Sequence, residues 1–127
     1  MGFLDRFRSD KESDIRREWK VLDSMDQLQQ IIEGSHQRPA VIFKHSVTCG
    51  ISAMSKFQLE REWDFQEEEL DFYYLDLLNH RDISNKVADL TGVIHQSPQV
   101  ILLKGGKAVY NTSHHNISIG ALKQAIA

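Results

Sequence analysis

Ala40-Val41-Ile42-Phe43-Lys44-His45-Ser46-Val47-Thr48-Cys49-Gly50-Ile51-Ser52 is an apolar run that breaks at a polar step and restarts as a helical pattern. Ala40 to Lys44, opened by Pro39, predicts a strand buried on both faces. After Cys49, the residues Ile51, Met54, Phe57 and Trp63 recur at helical spacing. A strand that passes straight into a helix puts the junction residue at the helix N-terminus. There, free backbone N–H groups and the helix dipole favour a thiolate. Cys49 is the only cysteine of the chain. Where a dithiol would read Cys-x-x-Cys this chain reads Cys49-Gly50-Ile51-Ser52, so no disulfide can form within it. Any redox chemistry at Cys49 passes through mixed disulfides with another molecule.

Upstream, Ile15 to Leu22 contains a short first strand built on Trp19, Val21 and Leu22. Ser24 reads as the N-cap of a helix through Glu33, with Met25, Leu28, Ile31 and Ile32 on one face and Gly34-Ser35 as its stop. Downstream, Glu67-Glu68-Glu69 marks a solvated turn, and the aromatic-rich stretch Leu70 to Leu78 predicts a third strand. Arg81 to Leu90 predicts a helix with Ile83, Val87 and Leu90 inward and Gly92 ending it. Val100 to Leu103 is a further buried strand. Gly105-Gly106 turns the chain back into an antiparallel strand over Lys107 to Thr112. Ser118 caps a last helix, Ile119 to Ala127, whose Leu122 and Ile126 close over the sheet. The order β-α-β-α-β-α-β-β-α predicts an α/β fold, a central mixed β-sheet flanked by helices on both faces.

The chain has 127 residues, the size of one domain. Residues 15–127 are expected to form it, behind a poorly ordered N-terminal tail at 1–14. A net charge of −3 with 26% charged residues gives no electrostatic reason to expect a nucleic-acid partner. No run approaches the ~18 apolar residues of a membrane span. The segment Met1-Gly2-Phe3-Leu4-Asp5-Arg6-Phe7-Arg8 lacks a signal-peptide pattern, and Arg6 stands where myristoylation wants Ser or Thr. A single cysteine excludes internal disulfides and cysteine zinc cages. The six histidines show neither His-x-x-x-His nor His-x-His, and no metal site is expected. A lone thiol without an export signal points to the cytoplasm.

The cysteine opening the second helix, followed by Gly92-Val93, Ser97-Pro98-Gln99-Val100, Gly105-Gly106-Lys107 and Ile117-Ser118 ahead of Leu122, resembles the thioredoxin fold. Within that fold the chain is similar to the YtxJ family of monothiol bacilliredoxins. The matching pieces are His45-Ser46, Thr48-Cys49-Gly50-Ile51-Ser52, His95-Gln96-Ser97-Pro98-Gln99 after Gly92-Val93, and His114 with Ile117. The resemblance covers Lys20 to Ala127. It implies a cis peptide at Pro98 lying against the active cysteine. It also implies reversal of S-bacillithiolation, the mixed disulfide between a protein cysteine and the small thiol bacillithiol. The partners implied are bacillithiolated client proteins and bacillithiol itself as co-substrate, with no resident cofactor; the protein is expected to be a monomer.

On this reading Cys49 is the catalytic nucleophile. Gly50 and Ile51 offer backbone N–H groups to its sulfur or to ligand carboxylates, the alternative being ordinary helix initiation. Ser52, about one turn on, either hydrogen-bonds the thiolate or faces solvent. Ser97 can offer its backbone to an extended substrate. Bacillithiol carries two malate carboxylates, for which Lys44, His45 and His114 are candidate cations, a solvated surface side chain being the alternative for each. His95 either shapes the client groove or ties its loop. Asp76 reads as structural. The competing function is that of a monothiol glutaredoxin-like iron–sulfur carrier, given the likeness of Cys-Gly-Ile-Ser to Cys-Gly-Phe-Ser. Against it, Thr112-Ser113-His114-His115 stands in place of the glutathione-binding segment of those proteins.

Overall fold

A computed structural model describes residues 19–46, 50–63, 65 and 69–126, with backbone only at 19, 50–53 and 115. Cys49, the tail at 1–14 and the Glu67-Glu68 pair lie outside the described residues. The elements run β1 (Trp19–Val21), α1 (Met25–Gly34), β2 (Ala40–His45), α2 (Gly50–Arg61), β3 (Asp71–Asp76), α3 (Arg81–Thr91), β4 (Gln99–Lys104), β5 (Lys107–Ser113) and α4 (Ile119–Ile126), with a 3-10 turn at His114–Asn116. The predicted order is the observed one.

The strands form one sheet in the order β1-β3-β2-β4-β5. β1 and β2 run parallel to β3, while β4 is antiparallel to β2 and β5 antiparallel to β4. β2 is therefore the strand paired on both sides near the sheet centre, and all six of its residues are buried. Its two-residue period divides the core. Val41 and Phe43 join Leu59, Phe72, Val100, Leu102, Ile119 and Leu122 on the face covered by α2 and α4. Ala40 and Ile42 join Leu28, Ile31, Ile83, Val87, Ile101 and Leu103 on the face covered by α1 and α3. Lys44 continues the second set and His45 the first.

Local chemistry sets the element ends. Ser24 Oγ accepts from Gln27 N at 3.1 Å, and Gln27 Nε2 donates back to Val21 O at 2.6 Å, joining α1 to the end of β1. Ser118 Oγ accepts from Ala121 N at 3.1 Å at the start of α4. Gly92 ends α3 at φ 73°. Leu90, expected inward, is exposed because beyond that turn Val93 packs on the core instead. In α2, Met54 and Phe57 of the predicted apolar stripe are not buried, at 71% and 62% exposed, while Trp63 beyond the helix packs against the core. Ser55 and Leu59 face the sheet, one turn apart, Leu59 reaching the Phe43 cluster.

The β4–β5 turn has positive φ at both Gly105 (62°) and Gly106 (82°), as a tight hairpin demands. Gly105 N donates to Ser35 O and Gly106 N to Ser35 Oγ, each at 2.8 Å, so the end of α1 holds the hairpin. A Cβ on Gly106 would lie 2.7 Å from His36 Nε2, whereas one on Gly105 would meet nothing within 4 Å. Gly106→Ala is expected to lower unfolding free energy by about 1–2 kcal/mol in urea titrations followed by circular dichroism. Gly105→Asn, which tolerates the left-handed region, is expected to cost less than about 1 kcal/mol.

Candidate active site

The C-terminal end of β2, the first turn of α2, the segment leading into β4 and the 3-10 turn after β5 carry the residues singled out from the sequence. Gly50, Ile51 and Ser52 form the first turn of α2, whose opening backbone N–H groups have no partner within the helix. Cys49 immediately precedes them in the chain. The Ser97-Pro98 peptide is cis. Pro98 is buried, and its carbonyl accepts from His114 N at 3.0 Å, bringing the turn at His114 against the proline. His114 itself is half-buried at φ 56°, and its turn packs against α2. Pro98 and His114, distant in sequence, thus meet beside the helix that follows Cys49.

His45 and Lys44 are not solvated surface cations. His45 is 4% exposed, between β2 and α2, with ring neighbours Phe43 and Tyr74. Its Nδ1 lies 2.6 Å from Tyr74 Oη. Burial, with help from Asp76 and Glu60, pushes the Tyr74 phenol up to about 12, so it keeps its proton and is the natural donor of the pair. The imidazole proton then sits on Nε2. Burial and the Lys56 ammonium also hold His45 below the ordinary 6.5, against Asp76 and Glu60, so the ring is neutral at pH 7. Lys44 is 0% exposed on the opposite face, with Nζ 3.2 Å from both Ser84 O and His95 Nδ1. No ion pair involves it among the described residues. Burial alone brings it from 10.5 down to about 8.

Among the described residues, the buried atoms His45 Nε2 and Ser97 Oγ have no hydrogen-bond partner. Both belong to residues picked from the sequence as ligand-binding. A buried polar atom without a partner is costly, which makes each a candidate group for a bound molecule. Asp76 is structural: its carboxylate accepts from Leu78 N at 3.2 Å and Asn79 Nδ2 at 2.8 Å, closing the turn after β3.

Sequence reasoning missed Tyr74, Ser84 and Gln99. Gln99 is 1% exposed; its Nε2 donates to Ile94 O at 3.0 Å and its Oε1 accepts from Gln96 N at 3.3 Å. Its register partner on β2 is Lys44, the residue that holds His95. Only strand pairing, which no local pattern reveals, sets these two buried polar side chains side by side under the loop before Pro98. Among the described residues no helix is long and apolar enough to cross a membrane.

Residues 20–122 match the family described as monothiol bacilliredoxin BrxC. Among solved structures, a thioredoxin-fold protein provisionally assigned as an oxidoreductase is 34% identical, with a TM-score of 0.77 over 89% of this chain and 97% of that one. A thioredoxin from Malassezia sympodialis, Mala s 13, is 23% identical with a TM-score of 0.66, covering 84% and 86%. A thioredoxin from Trypanosoma brucei brucei is 22% identical with a TM-score of 0.63, covering 84% and 85%. The last two share the fold, which is thioredoxin-like.

Tyr74→Phe removes the donor to a buried imidazole nitrogen and is expected to cost about 1–2 kcal/mol in urea unfolding. Its second effect is a mixed His45 tautomer in nitrogen NMR, against the single Nε2–H form of the wild type. For Lys44 the folded value lies below the unfolded one, so between about pH 8 and 10.5 the unfolded chain binds the extra proton. Stability from this group therefore rises with pH across that window. Unfolding curves at pH 7.5 and pH 10 are expected to show this gain in the wild type and its loss in Lys44→Met, relative to the shared background.

Proposed function

The chain belongs to the monothiol bacilliredoxin family, and we propose that it removes bacillithiol from S-bacillithiolated proteins through a mixed disulfide on Cys49. The coarser chemistry, thiol redox on a thioredoxin-like fold, is supported by its family and by the thioredoxin fold of its 34%-identical neighbour, provisionally assigned as an oxidoreductase. The observation that carries the finer reading is that the family match spans the one cysteine the chain possesses. With no second thiol, a dithiol cycle has no resolving partner.

In the first step the Cys49 thiolate attacks the bacillithiol sulfur of the client disulfide. The client leaves as thiolate, and Cys49–S–S–bacillithiol forms with no net change in oxidation. A bacillithiol thiolate then attacks that adduct, giving bacillithiol disulfide and restoring the Cys49 thiolate. Exchange is fastest when the attacking thiol titrates near ambient pH, a condition that the start of α2 favours. Gly50 and Ile51 supply N–H groups, and Ser52 a hydroxyl, toward the sulfur. Ser97 and Pro98 form one wall for the client, and His114 lines it. His45 takes part as a neutral buried N–H donor rather than as a cation. The protein holds no resident cofactor, works as a monomer in the cytoplasm, where thiols are kept reduced, and takes neither nucleic acid nor membrane as partner.

Mass spectrometry after exposure to bacillithiol disulfide, glutathione disulfide and a bacillithiolated client is the direct test. One adduct is expected, on Cys49, formed preferentially with bacillithiol, with release of the client thiol. A Cys49→Ser protein that still cleared the client would rule the mechanism out. A visible chromophore on a dimer after anaerobic iron–sulfur reconstitution would favour the glutaredoxin-like alternative.

A further inference from the structure

The segment before Pro98 is held to the sheet residue by residue. Gln99 takes Ile94 O and Gln96 N, while the residue between them, His95, turns its Nδ1 inward to Lys44 Nζ at 3.2 Å and Ser84 Oγ at 3.3 Å. An ammonium can only donate, so against Lys44 the His95 Nδ1 must accept. The neutral ring then carries its proton on Nε2. Nδ1 faces buried partners while the residue as a whole is exposed, so Nε2 lies on the open side of the ring, two residues ahead of Ser97.

We infer that Lys44 is a positioning residue for His95, fixing it as the Nε2–H tautomer so that it presents a neutral hydrogen-bond donor beside Ser97-Pro98 to a carbonyl of the bound mixed disulfide. This rests on the reading of Cys49 as the exchange nucleophile. The carbonyl belongs either to the client peptide or to the amide of the small thiol. The buried ammonium thus acts on the substrate through a second residue. Burial, Lys44 and Arg81 all hold His95 below 6.5, which keeps the donor uncharged at neutral pH. A neutral donor suits a carbonyl and forgoes the carboxylate binding that an imidazolium would provide.

Nitrogen NMR of the full chain with labelled histidine tests the positioning. Wild type at pH 7 is expected to show His95 neutral, protonated on Nε2 alone. In Lys44→Met the ring is expected to populate both tautomers and titrate at higher pH. A wild-type ring protonated on Nδ1, or an imidazolium at pH 7, overturns the inference, as does an unchanged spectrum in Lys44→Met. Should that variant fail to fold, the wild-type spectrum and the His95 variants still decide it. His95→Gln keeps an amide near the Nε2 position, and His95→Asn keeps one near Nδ1. With a cysteine peptide disulfide-linked to bacillithiol, His95→Gln is expected to hold KM within about 3-fold of wild type. His95→Asn and His95→Phe are expected to raise it about 5- to 10-fold at near-constant kcat. The reverse pattern, Asn rescuing and Gln failing, reduces His95 to a loop tie and overturns the substrate contact. The same defect in Cys49 adduct formation with bacillithiol disulfide assigns the carbonyl to the small thiol, and a defect confined to the peptide assigns it to the client. If wild type exchanges with neither disulfide, the proposed function fails, while the imidazole spectra still judge the Lys44–His95 pairing.

Discussion

An ammonium with no solvent exposure sits in the central strand of this sheet, and what surrounds the site follows from holding it there. Lys44 lies on β2, and α3 with the loop before Pro98 covers the sheet face from which its side chain projects. Among the described residues its charge is met by neutral acceptors, a backbone carbonyl of α3 and an imidazole nitrogen. Such an arrangement is costly by comparison with an apolar residue of the same length. It also leaves α3 and the loop before Pro98 no freedom to drift from β2, because the ammonium would lose its acceptors.

The step from Lys44 to His45 crosses the sheet. On one side a charged donor fixes a histidine that reaches the surface, and on the other a phenol fixes a histidine that does not. Both rings are kept below their ordinary titration range, by burial first and a nearby cation second. The two imidazoles flanking the β2 end are therefore uncharged at neutral pH, each held by a partner on its own face of the sheet.

The fold was open to reading because each element announces itself locally: Ser24 and Ser118 as caps, Gly92 and Gly105-Gly106 as turns, the apolar run at Ala40 as a central strand. The Ser97-Pro98 geometry was reachable only through resemblance. Lys44 and His45 were read as cations open to a ligand or to solvent because a cation at the end of an apolar run normally marks emergence into water; both are buried instead. Whether it emerges depends on Ser84 and His95, both far along the chain, offering acceptors at the right depth. The Met54 and Phe57 stripe misled for a related reason: helical spacing tells which residues share a face, not which face a partner covers. Small Ser55 took the buried side. Cys49 was legible as sequence chemistry.

β2 belongs to both halves of the sheet, pairing with β3 before it is ever paired with β4. As the chain emerges from a ribosome, Cys49 and the strands β1 to β3 are made well before Ser97-Pro98 and His114 exist. During that interval the nascent protein carries its cysteine but neither the cis proline turn nor the His114 turn. Lys44 has likewise no His95 to face, and nothing holds its ammonium inside. The second side of β2 is closed only once β4 is made and the hairpin delivers His114 to the proline.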